Sequence, residues 1–143
     1  MIPAAYEKTF DVMDSHCDFH RDTKISEILN QFQDVATVHA GLLNCSFDAM
    51  RARGYFWVLS RVSMDILHAP RAGEKVLVRT FPEKPLPLQC YRCYTMASET
   101  GERLVNGYSM WCALDLKRNR LTPIRNISLL DPENFETRDF DAA

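Results

Sequence analysis

At Gly54 the spacing of apolar residues changes from the helical period to the strand period, and that switch limits what the chain can fold into. Before it, Ile25, Ile28, Leu29, Phe32, Val35, Ala36 and His39 follow the i, i+3, i+4, i+7 rule of a helix with one apolar stripe. Asp22 or Thr23 can cap the start of this helix, and Gly41 lies where a C-terminal cap is expected. A shorter helix is predicted from a Ser46 cap to Arg53. After Gly54 comes a long strand, Tyr55 to Leu67, in which Val62, Met64 and Ile66 alternate with Arg61, Ser63 and Asp65. Pro70 to Gly73 breaks it, and further strands are predicted over Lys75 to Phe81, Leu88 to Glu99, Arg103 to Leu116 and Leu121 to Ile124. The prolines at 82, 85 and 87, the pair Thr100-Gly101 and the turn Lys117 to Asn119 separate them. Ahead of the helix stand a short strand, Tyr6 to Val12, and a polar loop, Met13 to Asp22.

One sheet of this size has an apolar face to cover, and only one long helix can cover it. The predicted class is therefore α+β, a curved antiparallel sheet wrapped around one long central helix, the hot-dog fold. The 143 residues suit one domain, 1–143, with its core over about 6–124. Such a helix is expected to be apolar on most sides. The acidic, pattern-poor stretch from Leu130 to Ala143 is expected to be loose.

Composition excludes several classes. The formal net charge is −2 and the 17 basic residues are scattered, so no basic patch suggests nucleic acid. No apolar run approaches a membrane span, and Met1 to Tyr6 lacks the blocks of a signal peptide, so a cytoplasmic protein with no membrane contact is expected. Five cysteines at irregular spacing fit reduced thiols. Cys90-Tyr91-Arg92-Cys93 is a lone CxxC without a second ligand pair, so neither a metal nor another cofactor is expected.

The chemistry-bearing residues cluster at the start of the helix, where "CDFHRD" places Asp18, His20 and Asp22 within five residues. A helix N-terminus offers unpaired N–H groups and a positive dipole end, which together can serve as an oxyanion hole. Asp22, Thr23 and Lys24 would form that end. Asp18 could then activate water or attack a carbonyl directly, with His20 moving a proton. Asp34, on the helix, could assist. Plainer roles exist for each: Asp22 as the helix cap, His20 as a solvated loop residue, Asp34 as a surface charge. His39 reads as a core histidine whose ring is satisfied by neighbours.

The segments "TKISEILNQFQDVATVHAG", "YFWVLSRVSMDILHAPRAGEKVLVRTFP" and "ETGERLVNGYSMWCALDLKRNRLTPI" resemble, in order, blocks of the acyl-acyl carrier protein thioesterases of plants and bacteria. The likeness runs from about Tyr6 to Ile124 and is strongest to the N-terminal half of these two-hot-dog enzymes. It implies a hot-dog fold and hydrolysis of fatty acyl thioesters. The family's catalytic pattern, Asp-x-Asn-x-His, lies in the second half. Against it this chain reads Asp18-Phe19-His20-Arg21-Asp22, so only Asp18 matches, with His20 in the asparagine's place and Asp22 in the histidine's. Asp18 also resembles the single catalytic aspartate of some one-domain acyl-CoA thioesterases.

These readings combine into a homodimer that hydrolyses acyl-carrier protein or acyl-CoA thioesters. Its acyl slot, between helix and sheet, would be lined by some of Ile28, Phe32, Phe56, Trp57 and Met64, and Arg21, Lys24, Arg51 and Arg53 would dock an acidic carrier. The alternatives are a non-catalytic acyl-binding module, one half of a two-part thioesterase, or a hot-dog hydratase or dehydratase using His20 with Asp34.

Overall fold

The computed structural model describes residues 2–127, 131–132 and 134–141. Its elements run β1 (Tyr6–Asp11), α1 (Ile25–Leu42), α2 (Phe47–Ala52), β2 (Tyr55–Ile66), β3 (Lys75–Pro82), β4 (Cys90–Ser98), β5 (Arg103–Asp115) and β6 (Arg120–Thr122). All strands belong to one antiparallel sheet in the order β1-β3-β4-β5-β2, with β6 pairing β5 beside the end of β4. The helix lies across one face of this sheet, and the hot-dog expectation holds. Among the described residues, no helix is long and apolar enough to cross a membrane.

The 3.6-residue stripe explains the docking of α1. Ile28, Gln31, Phe32, Val35 and His39 are buried, at a spacing that returns to one side of the helix. The remaining faces are open: Asp34 is exposed, and so are Val38 and Leu42. The expectation of a helix apolar on most sides is thus corrected, since the sheet covers a single stripe. Gly107 on β5 permits the close approach at its centre. A Cβ there would lie 3.1 Å from the Ser63 carbonyl oxygen and 3.3 Å from the Phe32 ring. Phe32 in turn stacks on Tyr94, with ring centroids 4.9 Å apart.

Both ends of α1 differ from expectation. Lys24, not Asp22 or Thr23, occupies the N-cap position, and no side chain caps it. Thr23 is buried and donates its hydroxyl to the Pro70 carbonyl at 2.7 Å, while Asp22 pairs with Arg71 at 2.8 Å. Gly41 lies inside the helix, and Asn44 takes the left-handed conformation just beyond it, at φ 56°. By contrast, α2 begins as predicted, with the Ser46 hydroxyl accepting from the Ala49 N–H. Gly54 ends that segment at φ 87°.

A bulge in β2 sets which of its residues face the helix. The register against β5 shifts between Leu59 and Arg61, so Ser60 is the extra residue. Side chains alternate along a strand, so Trp57 and Met64, an odd number apart, would otherwise point to opposite faces. With the bulge both turn toward α1, Met64 against the Ile28 cluster and Trp57 against Met50 and Leu43.

Residues 134–141 lie over part of the far face of the sheet and are held there by ion pairs, whereas 130, 133, 142 and 143 of the stretch expected to be loose lie outside the described residues. Arg138 binds Glu83 through its side chain, at 2.6 Å for the shortest contact, and lies over the rings of Tyr91, Tyr108 and Phe140. Arg79 holds Glu136 and Arg103 holds Asp139. Phe81, Cys93 and Tyr108 are buried beneath this strap, so β5 is enclosed on both faces over much of its length.

Candidate active site and apolar cavity

Between the C-terminal half of α1 and the sheet lies a cavity of about 250 Å3. Ala36 and Ala40 leave room on the helix side, and Trp57, Cys90, Tyr94 and Trp111 form the sheet side. Cys45, Phe47, Pro85, Pro132 and Phe135 also line it, with the carboxylates Glu83 and Asp131. Its walls are overwhelmingly apolar, as an alkyl chain requires. Trp57 is fixed in its wall by an Nε1–H bond to the Cys45 carbonyl at 2.8 Å. Trp111 is fixed through Nε1–H to the Ser109 hydroxyl at 2.7 Å.

One charged side chain faces this cavity from within. Strand alternation puts Cys90, Arg92, Tyr94 and Met96 on the helix side of β4. Arg92 is 8% exposed, and its Nη1 lies 3.0 Å from His39 Nδ1 and 3.2 Å from the Thr80 hydroxyl. His39 is wholly buried and reaches the Pro3 carbonyl through Nε2 at 2.9 Å, as a satisfied core histidine should. Burial, together with the neighbouring Arg92 charge, holds the His39 pKa below its ordinary value despite the opposing Pro3 bond. Burial likewise pushes the Cys90 thiol up to about 12 and raises those of Cys45 and Tyr94. The groups around the guanidinium are therefore neutral at pH 7.

The catalytic residues expected from the sequence lie apart from this cavity. The Asp18 carboxylate turns back on its own loop, where Oδ1 accepts from the N–H groups of His20 at 2.9 Å and Asp22 at 3.1 Å. Arg21 closes this turn in the left-handed region at φ 67° and pairs with Asp14. His20 is exposed and packs on the Phe19 ring. Asp34 is exposed on α1, and neither it nor any residue from Asp18 to Lys24 lines the cavity. Thr37, on the cavity wall, is twelve residues past Ile25, roughly 18 Å along the helix axis. The Asp18 loop and the apolar cavity therefore sit toward opposite ends of α1.

Of the expected acyl-slot residues, Trp57 alone lines this cavity. Phe32 and Met64 bound a separate void of about 30 Å3, Ile28 is fully buried core, and Phe56 is 41% exposed against Phe47. Arg53 is committed to the chain itself, binding the carbonyls of Ala49 and Asn44. Cys90 and Cys93 belong to clusters on opposite faces of the sheet, so the CxxC does not converge on one point. The sequence reading missed Arg92 as a cavity residue, although its even spacing with Cys90, Tyr94 and Met96 marks a cation on an apolar face.

Residues 3–127 match the family described as the acyl-ACP thioesterase N-terminal domain. The chain belongs to that family. It is 26% identical over 126 residues to the chloroplastic palmitoyl-acyl carrier protein thioesterase of Cuphea hookeriana, spanning 83% of this chain and 30% of that protein. It is also 24% identical to the chloroplastic FATB3 acyl carrier protein hydrolase of Cuphea viscosissima, over 84% of this chain and 31% of that one. The chain thus spans about a third of these relatives. The fold is shared with an acyl-ACP thioesterase of Bacteroides thetaiotaomicron, with TM-score 0.86 and 21% identity over 96% of this chain and 56% of that one. It is shared as well with a 1,4-dihydroxy-2-naphthoyl-CoA thioesterase of Synechocystis, with TM-score 0.74 and 13% identity over 84% of this chain and 89% of that one.

Proposed function

We propose that this acyl-ACP thioesterase N-terminal domain holds the acyl chain of a thioester that is hydrolysed at a junction with a second hot-dog. The observation that carries this reading is the apolar cavity between α1 and the sheet, in a family whose relatives are named as acyl carrier protein hydrolases. Acyl-carrier protein is the preferred substrate, with acyl-CoA the second choice. The second hot-dog, a copy of this chain in the simplest assembly, pairs along β2. That strand is the free edge beside β5, and it exposes Phe56, Val58, Leu59 and Val62, an apolar run that edge strands ordinarily avoid.

Hydrolysis then needs a carboxylate outside the cavity. In this proposal that carboxylate is Asp18, assisted by His20 and by Asp34, and it must leave its turn to meet a carbonyl brought over the start of α1. A turnover assay on acyl-carrier and acyl-CoA thioesters, with sedimentation to fix the assembly, tests the whole. Hydrolysis by a dimer, lost at least tenfold in Asp18→Asn, supports it; the asparagine keeps an Oδ1 acceptor for the turn. Equal turnover in Asp18→Asn removes Asp18 from the chemistry. Tight acyl binding with no turnover in any assembly leaves the domain a binding half.

A further inference from the structure

The cavity and Arg92 do not match if the cavity holds only a plain alkyl chain. With about 30 Å3 to a water-sized group, it takes on the order of eight such groups. Most of the surface they meet is apolar, and Arg92 is the one cation among the lining residues. A guanidinium has five N–H donors and accepts nothing. Only Nη1 is used, by His39 and Thr80. Nε and Nη2 meet no acceptor among the described residues, and neither is sealed from the cavity that Arg92 lines.

A buried cation is ordinarily paired with a carboxylate. Two carboxylates border the cavity, Glu83 and Asp131. Glu83 is bound by Arg138, and Asp131 is exposed. Among the described residues neither forms an ion pair with Arg92. The remaining neighbours, Cys45, Cys90, Tyr94 and His39, are uncharged at neutral pH. Burial lowers the Arg92 pKa, the mark of a cation without a compensating charge. The protein thus supplies a fork of donors and an apolar channel and leaves the complementary anion to be brought in.

We propose that the cavity takes an apolar chain ending in a carboxylate, seated against the Nε and Nη2 donors of Arg92. Guanidinium and carboxylate match in bidentate geometry, and low dielectric strengthens the pair. This inference rests on the reading of the cavity as an acyl site, and names the class of chain that site selects. The carboxylate has two sources: the head of a free fatty acid, or the far end of an acyl thioester that carries a second carboxyl group.

The test is a calorimetric binding panel with decanoate, methyl decanoate, decanoyl-N-acetylcysteamine, and the mono-N-acetylcysteamine thioester of decanedioic acid. Wild type is expected to bind at least one carboxylate-ended chain tenfold or more tighter than methyl decanoate. Arg92→Met, close to arginine in length, is expected to abolish that preference, and Arg92→Lys to restore part of it. Tight binding of decanoate alone assigns the site to free acid. Tight binding of the decanedioic thioester assigns it to an acyl group with a far carboxylate. Equal affinity for decanoate, its ester and the methyl-ended thioester would overturn the proposal while leaving the acyl site intact. Failure of all four ligands to bind would overturn both. Because the wild-type panel is decisive alone, a variant that fails to fold does not rescue the idea.

Discussion

His39 accepts a hydrogen bond from Arg92, and this direction is forced. The guanidinium can only donate and the Pro3 carbonyl can only accept, so Nδ1 is the bare nitrogen and Nε2 carries the proton. A second proton on this ring would set two donors face to face at 3.0 Å. The ring is therefore neutral in the folded state, in keeping with its lowered pKa.

That neutrality predicts a pH dependence. In the unfolded chain His39 takes up a proton below its ordinary pKa of 6.5, while the folded protein resists doing so. The contribution of His39 is fully present above pH 6.5 and is lost as pH falls below it, at up to about 1.4 kcal/mol per pH unit. Urea unfolding at pH 7.5 and pH 5.5 should show the loss in wild type. His39→Gln should be less stable at pH 7.5 yet lack this component of the slope.

The strap on the outer face makes a second prediction. Burial alone would raise the Glu83 carboxyl, but hydrogen bonds from the Arg138 side chain and backbone, with its charge, hold it below the ordinary value. Its contribution is present above the unfolded carboxyl pKa and disappears as pH falls through the folded one. Arg138→Ala should destabilise by about 1.5–3 kcal/mol at neutral pH, since it strips a half-buried carboxylate of its partner. Hydrogen exchange at Cys93 and Tyr108 should rise in the same variant; unchanged protection would show that the strap holds without this pair.

Gly107→Ala should cost about 1–3 kcal/mol, because the added methyl meets a backbone oxygen that cannot retreat and a ring already stacked on Tyr94. Adding Phe32→Leu should recover part of the loss by removing the ring edge. Denaturant melts of the single and double variants check this coupling.

Ala40→Phe should shorten the cavity. Affinity for a ten-carbon chain is expected to fall tenfold or more, about 1.4 kcal/mol, while a six-carbon chain is affected less. Equal losses for both lengths would mean that the chain does not pass Ala40.

The helix, the strands and their pairing were readable because each rests on a local period: Ile28 to His39 for α1, Val62 to Ile66 for β2, Thr100-Gly101 for the hairpin. What escaped depends on residues far apart in sequence. Arg138 and Glu83 are 55 positions apart, so composition showed only an acidic tail. His39 and Arg92 are 53 apart, and the stripe alone could not say which strand would meet the histidine. The Ser60 bulge hides in an ordinary β-rich run, yet it decides that Trp57 reaches the cavity. Asp18 was correctly seen as a loop acid near a helix start. Its hydrogen bonds to His20 and Asp22 could not be foreseen, because a turn and a reactive carboxylate favour the same residue types.

The sheet has one side that its own chain has already upholstered. With Arg138 laid over Tyr91, Tyr108 and Phe140, a visiting protein meets a charged strap over β4 and β5 rather than bare strands. On the opposite side α1 shows Val38 and Leu42, and β2 keeps an edge with no strand partner among the described residues. Over β4 and β5 the sheet is thus closed by its own chain on one side and opens onto a cavity on the other.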